Sequence, residues 1–280
     1  MIRRRLTTGA VLDAAVDLVS RRIPGPAGLL VLTSLPLRFL EAWLANRLLQ
    51  LGDDASDHVS YLTSLSLLVS AALLPAFWGR AVYARSCALA LSAGGEGFHR
   101  LPLRERLRLP AAGFLSYLYA AAFFELLFIA TEWTIVALPF LALLTGLAAA
   151  TSPLEDRPGF FASLLRMARN VQPPGVLAGL TTVFLFALPV AFINLSALFQ
   201  ILVWAAGLMT GATGSWWQVA LSWDNQQFVV LAVAGAVLLV EPFWIASLVV
   251  TVRQARARQS GEDLAAWFDA LRSRGQEEVA

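Results

Sequence analysis

The chain has 280 residues, 58% of them hydrophobic and only 14% charged, with a mean hydropathy of +0.66. A soluble domain carries about 25% charged residues, so this chain has too few polar groups to cover a water-facing surface, and lipid must be much of its solvent. The formal net charge of +2 comes without a basic stripe interleaved with exposed aromatics, which excludes a nucleic-acid partner, and the lone Cys87 excludes an internal disulfide framework.

The opening segment, residues 7–22, reads as an amphipathic interfacial helix. Thr7 or Thr8 can cap it. Leu12, Ala15, Val16 and Val19 recur at helical spacing, with Asp13 and Asp17 on another face. Pro24 and Pro26 close it. Arg3, Arg4 and Arg5 resemble the start of a signal peptide, but Asp13 and Asp17 interrupt the apolar core that one requires.

About 20 apolar residues cross the hydrocarbon, and six stretches between 27 and 252 qualify: 27–49, 60–80, 111–131, 133–151, 176–206 and 227–252. The fifth is long enough to tilt, or to break near Pro189. Every basic residue is Arg, and nineteen of the 21 fall before the first span or within 80–108, 157–169 and 253–274. Only Arg38 and Arg47, in or at the end of the first span, are left over. The intervening segments are acidic (50–59), very short (131–132) or free of Arg (207–226). The positive-inside rule then puts both termini in the cytoplasm of a bacterial inner membrane. The expected fold is all-α: one polytopic membrane domain whose six transmembrane helices form three hairpins, each led by an interfacial segment ending at Pro24, Pro110 or Pro173. Gly94-Gly95-Glu96-Gly97 follows a membrane helix and reads as a flexible cytoplasmic turn.

The outer segment 207–226 carries Trp216, Trp217 and Trp223, which suit an aromatic belt at the membrane surface; the alternative is a lid over an opening between helices. Past the last span, 260–274 reads as a second interfacial helix, with Trp267 and Phe268 on its apolar stripe. Its alternative role is docking a cytoplasmic partner. Trp216, Trp217, Trp223, Trp267 and Phe268 are thus the candidate interfacial anchors, with membrane lipids as the surrounding partner.

Charges inside a bilayer are costly and face protein or water, which makes each a functional candidate. Arg38 and Glu41 share one face of the first span, Glu125 lies deep in the third, and Glu241 lies near the middle of the sixth, just before Pro242. Arg38, Glu41, Glu125 and Glu241 form the candidate polar site. They compose either a buried ion-pair network that sets packing or the lining of a polar path for protons or a headgroup. No phosphate-binding loop, H-E-x-x-H, G-x-S-x-G or CxxC is present. His58 and His99 fall on opposite sides of the membrane in this topology. No catalytic residue, metal or cofactor is therefore expected.

Two short stretches carry a family resemblance. One is Ala10-Val-Leu-Asp13-Ala-Ala-Val-Asp17-Leu-Val-Ser20-Arg21-Arg22, leading to Leu35-Pro36-Leu37. The other is Glu241-Pro242-Phe243-Trp244-Ile245-Ala246, running through the Arg-rich exit to Gly261-Glu-Asp263-Leu264-Ala-Ala-Trp267-Phe268. Together they resemble the membrane domain that precedes some glycerophosphodiester phosphodiesterases, and its stand-alone bacterial relatives. No phosphodiesterase domain follows here, so the resemblance implies a non-catalytic multi-helix unit, one component of an envelope complex that scaffolds or transports, with a membrane or cytoplasmic protein as partner. The alternative is a secondary transporter or lipid-handling protein that uses Arg38, Glu125 and Glu241.

Overall fold

A computed structural model describes residues 7–50, 55–131, 138–151, 174–210, 219 and 221–261, and these residues are mostly helical with no strand among them. The helices are α1 (Thr8–Asp17), continued by a π-helical turn (Leu18–Arg22), α2 (Pro24–Gln50), α3 (Ala55–Arg100), α4 (Leu103–Leu107), α5 (Ala111–Thr131), α6 (Leu138–Thr151), α7 (Pro174–Thr210) and α8 (Gln226–Ser260). Two are long and apolar enough to cross a membrane: Gly175–Met209 within α7, at a mean hydropathy of 2.4, and Gln226–Ala257 within α8, at 2.3. A third joins them if Thr8–Arg22 and Pro24–Leu40 form one broken span. The described residues thus form an all-helical structure with two to three helices that can cross a membrane by length and composition.

The contacts divide the chain into two compact units. One combines residues 1–24, 84–181 and 245–280, and the other combines 25–83 and 182–244.

In the first unit, the Thr7 hydroxyl accepts from the Ala10 amide and caps α1. Asp17 pairs with Arg22 at 2.8 Å. The buried stripe of this helix is Val11, Ala15, Leu18 and Val19, whereas Val16, expected on the apolar face, is half exposed. Apolar residues surround most of this helix, so spacing alone did not select the face. One close approach did: a side chain at Gly179 of α7 would stand 2.4 Å from the Thr8 hydroxyl oxygen. α5 and α6 pack against each other. The stretches Ala84–Ala90 of α3 and Ile245–Val252 of α8 supply most of the remaining core, with Ala84, Ser86, Cys87, Ala246, Ser247 and Thr251 fully buried. Small residues of this kind let helix backbones come close without a large hydrophobic gain. Arg106 closes the end of α3, donating to the His99 and Leu101 carbonyls at 2.8 Å each and covering the Phe98 ring.

In the second unit, Leu37 of α2 packs with Ala72 and Ala76 of α3. A side chain at Gly79 would stand 1.8 Å from the Thr33 hydroxyl oxygen and 2.9 Å from its Cβ, so α2 and α3 touch there because residue 79 has no Cβ. α7 passes without interruption through Pro189, so the alternative of a break there does not occur. Its flank carries exposed Phe186, Ile193, Ile201, Trp204 and Met209, a surface suited to hydrocarbon. Its aromatic contacts include three edge-on pairs: Phe184 with Trp244, Phe192 with Trp223, and Phe199 with Phe228. Asn225 caps α8 by accepting from the Gln227 amide.

Two local expectations are corrected. Gly94–Gly97 is not a turn but part of α3, and that 46-residue helix does not end with the expected span at residue 80 but continues through Arg85 to Arg100. A segment rich in Arg and Gly looks like a loop when only hydropathy is read, yet its small residues suit close helix packing.

Candidate functional site

The sequence places Glu241 one residue before Pro242, on a helix otherwise apolar enough to span a membrane. A carboxylate there needs a partner or water. It has two partners, from two other helices. Arg80 of α3 donates from Nε to Glu241 Oε1 at 2.5 Å, and Arg38 of α2 brings Nη2 to 4.0 Å from Oε2. Arg80 and Glu241 are both buried, and Arg38 is partly so. The Arg80 guanidinium also stands over the Phe77 ring at 5.7 Å, a cation–π contact one turn back on its own helix.

The local sequence makes this arrangement possible in three ways. Gly79 removes the side chain that would hold α2 away from α3 immediately beside Arg80. Arg38 follows Leu37, the α2 residue that packs on Ala72 and Ala76. On the far side of the ion pair, the Tyr83 hydroxyl donates to the Pro242 carbonyl at 3.0 Å. Arg80 and Tyr83 lie three residues apart and therefore share a face of α3. That face grips Glu241 and Pro242, consecutive residues of α8, by a charge and a hydroxyl together.

Polar capacity is left over. Glu241 Oε2 is buried and accepts no hydrogen bond among the described residues. Ser34 Oγ, one turn before Arg38, and Ser196 Oγ of α7 are also buried without a hydrogen-bond partner among the described residues.

Of the residues singled out from sequence, Arg38 and Glu241 come together. Glu41 and Glu125 lie within α2 and α5, but their side chains fall outside the described residues. Trp216, Trp217, Trp267 and Phe268 also lie outside the described residues, as does 262–280. Trp223 is exposed, its ring edge-on to Phe192 at 5.6 Å. The residue that sequence reasoning missed is Arg80, counted there only as a marker of membrane side. Its signal was present: Ala81-Val82-Tyr83-Ala84 continues the apolar run beyond it, so the arginine sits inside a helix rather than at its exit.

Compared with known protein families, curated proteins and solved structures, the chain matches none.

Proposed function

We propose that this chain is a non-catalytic integral membrane component of a bacterial envelope assembly, scaffolding or transporting. We place it in the inner membrane with six spans in three hairpins and both termini in the cytoplasm. The observation that carries this reading is the occupation of Glu241 by Arg80 and Arg38. Those charged side chains are engaged with one another and hold α2, α3 and α8 together. The exposed apolar flank of α7 supports a lipid or protein neighbour in the membrane plane. The resemblance to the membrane domain of glycerophosphodiester phosphodiesterases and its stand-alone relatives is consistent with a unit of this kind.

A second reading, a secondary transporter or lipid-handling protein using Arg38, Glu125 and Glu241, draws on one specific observation. Two guanidiniums face one carboxylate, and Glu241 Oε2 keeps its hydrogen-bonding capacity. A polar group passing between the helices would find an acceptor there.

Affinity isolation of the full chain from its native membrane in mild detergent tests the first reading. The expected result is a stoichiometric partner retained through size exclusion. A chain that always elutes alone as a monomer overturns it, and proton-driven uptake by proteoliposomes of the purified chain would establish the second instead.

A further inference from the structure

A second set of arginines meets in the first unit, in different company. Arg85 of α3 and Arg253 and Arg256 of α8 line a cavity of about 260 Å³ together with Ser92, Leu89 and Val252. The sequence builds this lining by simple spacing. Arg85, Leu89 and Ser92 recur along one face of α3, and Val252 and Arg256 lie one turn apart on α8. No carboxylate is among the lining residues.

Two of the arginines have well-defined states. Arg253 Nη1 donates to the Ser92 hydroxyl at 2.6 Å and to the Ala88 carbonyl, which fixes the direction of its guanidinium. Arg85 is different. Its Nε is buried and makes no hydrogen bond among the described residues. A buried guanidinium N–H left unmade is expensive, because it loses water and gains nothing. That cost marks a place where an acceptor belongs.

We propose that this cavity binds the phosphate group of an anionic ligand. Guanidinium forks match phosphate oxygens in pairs, and a fork already oriented loses little freedom on binding. The volume lies below that of sites for drug-sized molecules and suits a single anionic group. Leu89 and Val252 give it an apolar wall, which accommodates the carbon side of a phosphodiester. The ligand is either a phospholipid headgroup or free phosphate. The lipid source rests on the topology proposed above, in which Arg85, Arg253 and Arg256 leave their spans at the cytoplasmic headgroup level, where basic pockets take anionic lipids. The free-phosphate source needs no such assumption.

The test uses the full purified chain in two arms. In detergent without added lipid, binding of radiolabelled inorganic phosphate is measured by equilibrium dialysis. In vesicles of phosphatidylcholine with and without phosphatidylglycerol, the lipid retained after extraction is read by native mass spectrometry. Retention of phosphatidylglycerol identifies the lipid source, and binding of inorganic phosphate alone identifies the free anion; either supports the site. Arg85→Gln and Arg256→Gln are each expected to weaken binding about tenfold or more, while Arg104→Gln, at an exposed position on α4, leaves it unchanged. Arg253 is avoided, because its hydrogen bonds also hold α3 to α8. No binding in either arm, equal binding by wild type and Arg85→Gln, or an equal loss in Arg104→Gln overturns the proposal. The phosphate arm is independent of the envelope-assembly reading, so failure of one does not imply failure of the other.

Discussion

Arg80 and Arg85 stand five residues apart on the same helix, yet their surroundings differ in kind. Arg80 has a carboxylate at hydrogen-bonding distance, a phenyl ring beneath it and a second arginine sharing its partner. Arg85 has two further arginines across a cavity and a buried Nε that bonds to none of the described residues. A buried guanidinium is tolerated only when something answers its charge and its N–H groups. At Arg80 the protein supplies the answer itself, which is how helices are fastened. At Arg85, a partly exposed residue, Nε alone is buried and bonds to none of the described residues, the opening that the proposed anion would fill. Composition cannot separate these cases, because both residues count as one arginine each in any tally of charge by membrane side.

That contrast is broken most directly at Glu241. Glu241→Gln leaves two guanidiniums around a neutral amide, and removing one partner of a buried pair costs about 3–5 kcal/mol. A large drop in the thermal midpoint of the detergent-solubilised protein, followed by tryptophan fluorescence, is expected. Replacing Arg38, Arg80 and Glu241 together by Leu, Met and Leu should recover much of the loss, since an apolar triad leaves no charge of this cluster orphaned. An unchanged midpoint in the single variant would mean that Arg80 and Glu241 do not fasten the helices. The next largest effect is at Gly79. A methyl group there must displace Thr33 at its Cβ as well as its hydroxyl, so Gly79→Ala should destabilise by about 1–3 kcal/mol. Gly235→Ala makes the control, because the added carbon meets only the flexible end of Leu195; comparable losses at the two positions would show that the α2–α3 approach is not special. The smallest effect sharpens the other side of the comparison. Arg85→Gln removes the unbonded Nε, so the midpoint measured without anionic lipid should not fall by more than about 0.5 kcal/mol and is free to rise. A severe loss would move Arg85 into the fastening class.

Much of the helical framework was legible because apolar runs and prolines mark helix limits clearly. The stretch 27–49 corresponds to Pro24–Gln50, 111–131 to Ala111–Thr131, and 176–206 lies within Pro174–Thr210. Pro24 and Pro174 open α2 and α7 where a proline's missing N–H costs nothing. The continuation of α3 to Arg100 was not legible. Arginines and glycines after residue 80 imitate a loop, whereas the packing of Ala84, Cys87 and Ala90 inside the first unit keeps them helical. Tertiary contact decides such a stretch, and no local propensity records it. The site was half legible for a similar reason. A charge in an apolar run marks Arg38 and Glu241 individually, but Arg80 and Glu241 are 161 residues apart, and no periodicity along one helix can tell which arginine another helix will offer. The Arg85 cavity was hidden further still, because its residues had already been assigned to topology.

Cys87 is fully buried in the first unit, and it is the one thiol in the chain. That burial has an experimental use. Reagents that cannot enter the protein will leave the native sulfur untouched, so cysteines introduced singly at 50–59, 131–132 or 207–226 report only on themselves. Labelling intact cells and everted vesicles with a membrane-impermeant maleimide then assigns each segment to a side of the bilayer, and no native thiol has to be removed first.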